Sequence, residues 1–161
     1  MTKLDFDNKT LERLYMGFKW ARNNSLQLFT AAQAEGVLDW RPEGVGQHDV
    51  LYQFQCLVTT TDTYYRRIKG HSDRRFGILL SGDGAVGKRE IAASDIGNIL
   101  HEQLQVLELL LRTYSIRDFE AKVRDIQAIA NHEYLHQGQM VVMFRQAGVA
   151  LPERFRAAFD L

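Results

Sequence analysis

The sequence predicts an all-α fold: a four-helix bundle forming one domain over residues 1–161, with a long crossover connection between its second and third helices. Three observations predict it. Four stretches repeat their apolar residues at helical spacings, and none shows the strict alternation of a half-buried strand. Only two prolines occur, Pro42 and Pro152, and both flank proposed helices, so long helices can run uninterrupted. The second and third stretches are separated by a Gly-rich segment, 71–90, of a length seldom idle in a compact domain.

The first helix is expected over residues 9–34. Asp7 or Asn8 can cap it, and Gly36 ends it. Leu11, Leu14, Tyr15, Phe18, Ala21 and Arg22 trace its inward stripe, continued by Leu28 and Phe29. The following loop, 39–46, holds Trp40 and Pro42. Trp40 is expected to plug the core, because a buried tryptophan contributes much apolar area.

The second helix is expected over 47–69, with Gly70 as its stop and Leu51, Phe54, Leu57, Val58, Thr61, Tyr64, Tyr65 and Ile68 as its inner face. In the 71–90 segment, Phe76, Ile78, Leu79 and Leu80 form a short apolar knot. This segment is expected to cross the bundle and partly cover a pocket, or to be a plain connection. Its SGDGAVGK run only partly matches a phosphate loop. Arg89 stands where a magnesium-binding hydroxyl is required, and no parallel strand leads in.

The third helix is expected over 94–113. Ser94 can cap it, Asp95 suits its positive end, and Ile96, Leu100, Leu104, Leu107 and Leu111 form its stripe. His101 and Glu102 lie on it; each could reach an ion at the bundle centre, and solvated side chains are the commoner outcome for such residues. The fourth opens on the capping box Ser115-Ile116-Arg117-Asp118 and runs through Phe119, Val123, Ile126 and Ala130 to its close at Gly148. Phe155 and Phe159, four apart in the tail, suggest a short helix packed on the body or on a second subunit.

Composition excludes several functions. The chain is 45% hydrophobic and 25% charged, ordinary for a globular protein. Lys+Arg and Asp+Glu both count 20, which argues against a non-specific nucleic-acid binder. The single cysteine, Cys56, excludes an internal disulfide and suits a reducing compartment. The N-terminus has no apolar signal core, and no apolar run approaches the roughly 18–20 residues of a membrane span. A cytoplasmic protein is expected.

The chemistry concentrates in NHEYLHQGQMVVMFRQAG, residues 131–148. His132 and His136 stand four apart, so two imidazoles lie on one helix face and can chelate one divalent ion. A surface pair, or two satisfied core imidazoles, is the plainer alternative. HEYLH also matches the zinc-protease pattern literally, which makes Glu133 a candidate general base.

The segment HEYLHQGQMVVMFRQAGVALP, residues 132–152, resembles the C-terminal signature of the DinB/YfiT-like superfamily of metal-binding four-helix bundles. His132, His136, Gly138, Gln139, Arg145, Gly148 and Pro152 match it in type and order. The resemblance implies a third metal ligand, a histidine one or two turns into the second helix. Here the pattern departs. His48, at the start of that helix, is the first choice on donor type. Cys56, before Leu57, has the better register and would favour zinc; Gln53, before Phe54, would suggest a degenerate or metal-free site. The plainer readings are a solvated His48 and a Cys56 that is a small buried hydrophobe.

The resemblance further implies a divalent metal such as zinc or nickel, a small-molecule substrate and a homodimer. Members of the superfamily include transferases that activate a low-molecular-weight thiol, such as bacillithiol or mycothiol, against an electrophile. Arg145 matches the family pattern as a catalytic candidate, but falls nine residues after His136 on a different face. Two other functions stay open: a metal-dependent hydrolase with Glu133 as base, and a non-catalytic metal- or ligand-binding stress protein.

Overall fold

The computed structural model describes residues 9–43, 48–69, 91–114 and 119–160. The described residues are all-helical: α1 (Lys9–Ala34), α2 (Val50–Lys69), α3 (Ala93–Leu111), α4 (Phe119–Gln146) and the short α5 (Glu153–Phe159). None of these helices is long and apolar enough to cross a membrane. The capping boxes and connections expected at 7–8, 70–90 and 115–118 lie outside the described residues.

Local chemistry sets the helix ends. α1 and α4 both close on a left-handed glycine, Gly36 at φ +65° and Gly148 at φ +73°. Behind each, paired backbone bonds finish the helix: Val37 N–H donates to the Ala32 carbonyl and Gly36 to Gln33, and Val149 donates to Phe144 and Gly148 to Arg145. α2 starts at Val50 rather than at 47, because Asp49 Oδ1 accepts the Tyr52 N–H at 2.8 Å and caps the first turn. Ser94 does not cap α3. The helix begins one residue earlier, with the backbone-extended Ala92 at the cap position, and the Ser94 hydroxyl donates to Asp95 Oδ1 instead.

The four long helices pack in a ring, α1 beside α3 and α4, and α2 beside α3 and α4, so chain neighbours α1 and α2 stand across a diagonal. Three side chain–backbone bonds fix the direction of α2 and α3. Gln55 Nε2 donates to the Ile91 carbonyl (2.9 Å), Gln103 Nε2 to Val58 (2.7 Å) and the Tyr114 hydroxyl to Ile68 (2.7 Å). The partners advance together, so α2 and α3 are parallel. α5 folds back on α1, with Phe155 buried and the Phe159 ring 5.3 Å from that of Trp20.

The core is divided. One apolar cluster holds Leu28, Phe29, Phe54, Leu57, Leu100, Met140 and Phe144, with Trp40 against its edge. The other holds Leu11, Tyr15, Phe18, Ile68, Leu107, Leu111, Ile126 and Ile129. α1 and α4 therefore also run in the same direction, opposite to α2 and α3. Between the clusters each helix turns a buried polar residue inward: Arg22, Thr61, Gln103 and Glu133. Phe54 is fully buried and meets Phe29 edge-on at 5.1 Å, so Phe54→Ala should cost about 3–5 kcal/mol in urea unfolding.

At the far end, Tyr15 donates to Glu108 Oε2 at 2.8 Å and Arg112 grips the other carboxylate oxygen. Burial raises the Tyr15 hydroxyl above its ordinary range, and the Glu108 bond adds to this. For Glu108, burial pushes upward, but hydrogen bonds from Arg112 and Tyr15 and the charge of Lys19 outweigh it and leave the carboxyl below its ordinary value. An acid lowered in the fold adds stability above its unfolded pKa and loses it as pH falls through the folded one. Melting temperature should therefore drop below about pH 4, and less steeply in Glu108→Gln.

Candidate metal centre

The α2–α4 contact brings three donors together. Cys56 Sγ, His132 Nε2 and His136 Nε2 offer ligand atoms that all lie within 4.8 Å of one another. Sγ is 3.5 Å from His132 Nε2, and the two Nε2 atoms are 3.0 Å apart. A tetrahedral zinc, with bonds of about 2.0–2.1 Å to nitrogen and 2.3 Å to sulfur, would separate two nitrogens by about 3.3 Å and nitrogen from sulfur by about 3.6 Å. The spacings therefore stand within a few tenths of an ångström of coordination distances. Two imidazoles and a thiol are also the donor chemistry that suits zinc.

Helix geometry explains the aim of the rings. His132 and His136 share the α4 face toward α2, and their planes meet edge-on at 76°. Cys56 and His136 are buried and His132 is half-buried, so the group reaches solvent on the His132 side. Gln53, one turn before Cys56 on α2, meets His136 at Nδ1 rather than at Nε2. Its Oε1 lies 2.7 Å from His136 Nδ1. An amide oxygen only accepts, so Nδ1 carries the proton and Nε2 presents its lone pair to the shared centre.

The structure brings Cys56, not His48, to the histidine pair. His48 precedes α2, is exposed, and stacks on the Tyr52 ring at 3.6 Å. It lies eight residues before Cys56, more than two helical turns away. His101 and Glu102 are exposed on α3. Arg145 is exposed near the end of α4; at 100° per residue, nine residues place it half a turn around the helix from His136. It lines a shallow cavity of about 320 Å³ with Val149, Leu151 and Arg156.

Glu133 faces α1. Arg22 pairs with its Oε1 (Nε donating at 2.7 Å), and the Ser25 hydroxyl donates to Oε2, so both oxygens are engaged. Arg22 also donates to Thr61 Oγ1 at 2.6 Å and Gln103 Oε1 at 2.9 Å. Burial pulls the Arg22 pKa down, and the Glu133 carboxylate opposes it by charge and hydrogen bond. Gln137 follows the same face and donates to the Ala21 carbonyl (2.7 Å) and Ser25 Oγ (2.9 Å).

Sequence reasoning did not foresee this polar layer. Its signals were Arg22, at an inward position of the first helix's apolar stripe, where a cation requires a buried partner, and Thr61 on the inner face of the second. For the third donor, the position of Cys56 follows its register, because a residue on α2 that meets the pair must face α4 at the level of His132. Comparison with protein-family profiles, curated proteins and solved structures finds no match to this chain.

Proposed function

We propose that this chain is a divalent-metal-dependent enzyme of the DinB/YfiT-like type, with Cys56, His132 and His136 as ligands, that transfers a low-molecular-weight thiol onto an electrophile. The observation that carries the proposal is the convergence of those three donor atoms within 4.8 Å on two facing helices. The parallel α2 and α3, with α1 and α4 parallel to each other and opposed to them, support the crossover bundle that the resemblance implies.

Three protein ligands leave a fourth position open, the arrangement of a catalytic rather than a structural site. A divalent ion, when bound, supplies the Lewis acidity that keeps a thiol deprotonated near neutral pH. The chain's residues do the rest. Gln53 holds the His136 tautomer, and half-buried His132 lies at the side from which a substrate can enter. The substrate thiol loses its proton to solvent water, and its sulfur bonds to an electrophilic carbon whose leaving group departs with the electron pair. The placement of Glu133 favours transfer over hydrolysis, since Arg22 and Ser25 occupy the oxygens a general base would use.

The test is a conjugation screen of zinc- and nickel-loaded protein with several cellular thiols and a panel of electrophiles. Thiol-dependent product with the native chain, and none with His132→Ala, is the expected result. A metal-loaded protein that conjugates no thiol but hydrolyses an ester or amide would overturn it.

A further inference from the structure

We infer that the buried layer of Arg22, Ser25, Glu133 and Gln137 is a rotational clamp that sets the aim of His132 and His136 at Cys56, so these four are positioning residues for the metal centre. The inference rests on the metal-site reading above and adds to it what holds the ligands in place.

Each ligand histidine is followed immediately by a residue tied to α1: His132 by Glu133, and His136 by Gln137. At 100° per residue, the two histidines point about 100° away from the two clamped side chains. That is close to the roughly 90° between neighbours at the corner of a square four-helix ring, and α4 is the corner between α1 and α2. Fixing Glu133 and Gln137 on α1 therefore turns the imidazoles toward α2.

Two anchors one turn apart resist rotation and tilt better than one. Ser25 joins them, since its oxygen donates to Glu133 and accepts from Gln137 at 2.9 Å. Arg22 then reaches α2 itself through Thr61, five residues beyond Cys56, at 2.6 Å. Gln103 accepts from Arg22 at 2.9 Å and donates to the Val58 carbonyl at 2.7 Å, two residues beyond Cys56. One guanidinium thus sets α4 and α2, the two helices that supply ligands, relative to each other.

Magnitudes show why this matters. A rotation of α4 by about 20° would move a side-chain tip at its outer radius of about 5–6 Å by about 2 Å. Ligand distances tolerate roughly 0.2 Å. Apolar packing alone admits small rotations at little cost, because side chains of similar shape slide past one another; directional hydrogen bonds do not.

The test uses mild variants of the full chain, Ser25→Ala and Gln137→Met, with Leu107→Val on α3 as a control of comparable melting temperature. Glu133→Ala is avoided because it strands a buried arginine and would confound folding with aim. Cobalt(II) is the probe, read as a dissociation constant and as the thiolate-to-cobalt charge-transfer band. Both clamp variants should bind cobalt about 10- to 100-fold more weakly, with a diminished band, while their apo melting temperatures match the control. Unchanged affinity and spectrum in both variants would overturn the inference, as would an equal loss in Leu107→Val. A native chain that takes up no cobalt rejects the metal site itself, a different result from a native chain that binds while its clamp variants bind equally well.

Discussion

Replacing His132 by alanine is expected to abolish metal retention. Purified without a histidine tag, the native chain should carry close to one equivalent of divalent metal, and His132→Ala none. The reason is geometric. His132 Nε2 is the atom shared by both short contacts, 3.5 Å to Cys56 Sγ and 3.0 Å to His136 Nε2. Without it, one nitrogen and one sulfur remain, too few for a four-coordinate site of useful affinity. Cys56→Ser should weaken zinc strongly, because a hydroxyl is a far poorer ligand than a thiolate. His48→Ala should change nothing, since that ring stacks on Tyr52 outside the group. Alkylation gives an independent reading. Bound metal should shield the Cys56 sulfur from iodoacetamide, and a chelator should restore its reactivity. Equal metal content in native and His132→Ala protein would reject the site.

How much of this was legible in the residues differs between fold and site. The long helices follow from patterns that act within one turn: the 3–4 spacing of Ile96, Leu100, Leu104, Leu107 and Leu111, and the glycines at 36 and 148. Such signals need no knowledge of the partner helix. The histidine pair was legible for the same reason, since four residues of α-helix place two rings on one face. The third candidate donor was not, because it depends on how α2 and α4 register against each other. Donor type pointed to His48 and register to Cys56; the fold brings Cys56 to the histidine pair, because Asp49 starts the helix after His48. Glu133 illustrates the same limit. Its place beside His132 matches a catalytic pattern along the chain, yet one residue on a helix is a turn of 100°, which points it at α1 and Arg22. A motif along the chain cannot show which neighbour occupies the next face.

Arg22→Met should rank with the most destabilising single changes outside the candidate metal centre. Arg22 is completely buried, and its guanidinium satisfies Glu133, Thr61 and Gln103 together. Methionine fills similar volume, so the cost is not a cavity. It is the Glu133 carboxylate left without its cation among apolar clusters, with Ser25 as its remaining donor. Breaking a buried pair from one side costs about 3–5 kcal/mol, and for a chain of this length each kcal/mol lowers the melting temperature by about 2–4 °C, so the loss is roughly 6–20 °C. A second substitution decides the cause. If the stranded charge dominates, Arg22→Met with Glu133→Gln should recover part of the loss, since a neutral amide is far cheaper to bury. Recovery should be incomplete, because Thr61 and Gln103 still lack their donor. Chemical unfolding of the apo forms of both variants measures this without interference from metal. A double variant no more stable than Arg22→Met alone would place the cost in lost hydrogen bonds across the whole layer rather than in one uncompensated carboxylate.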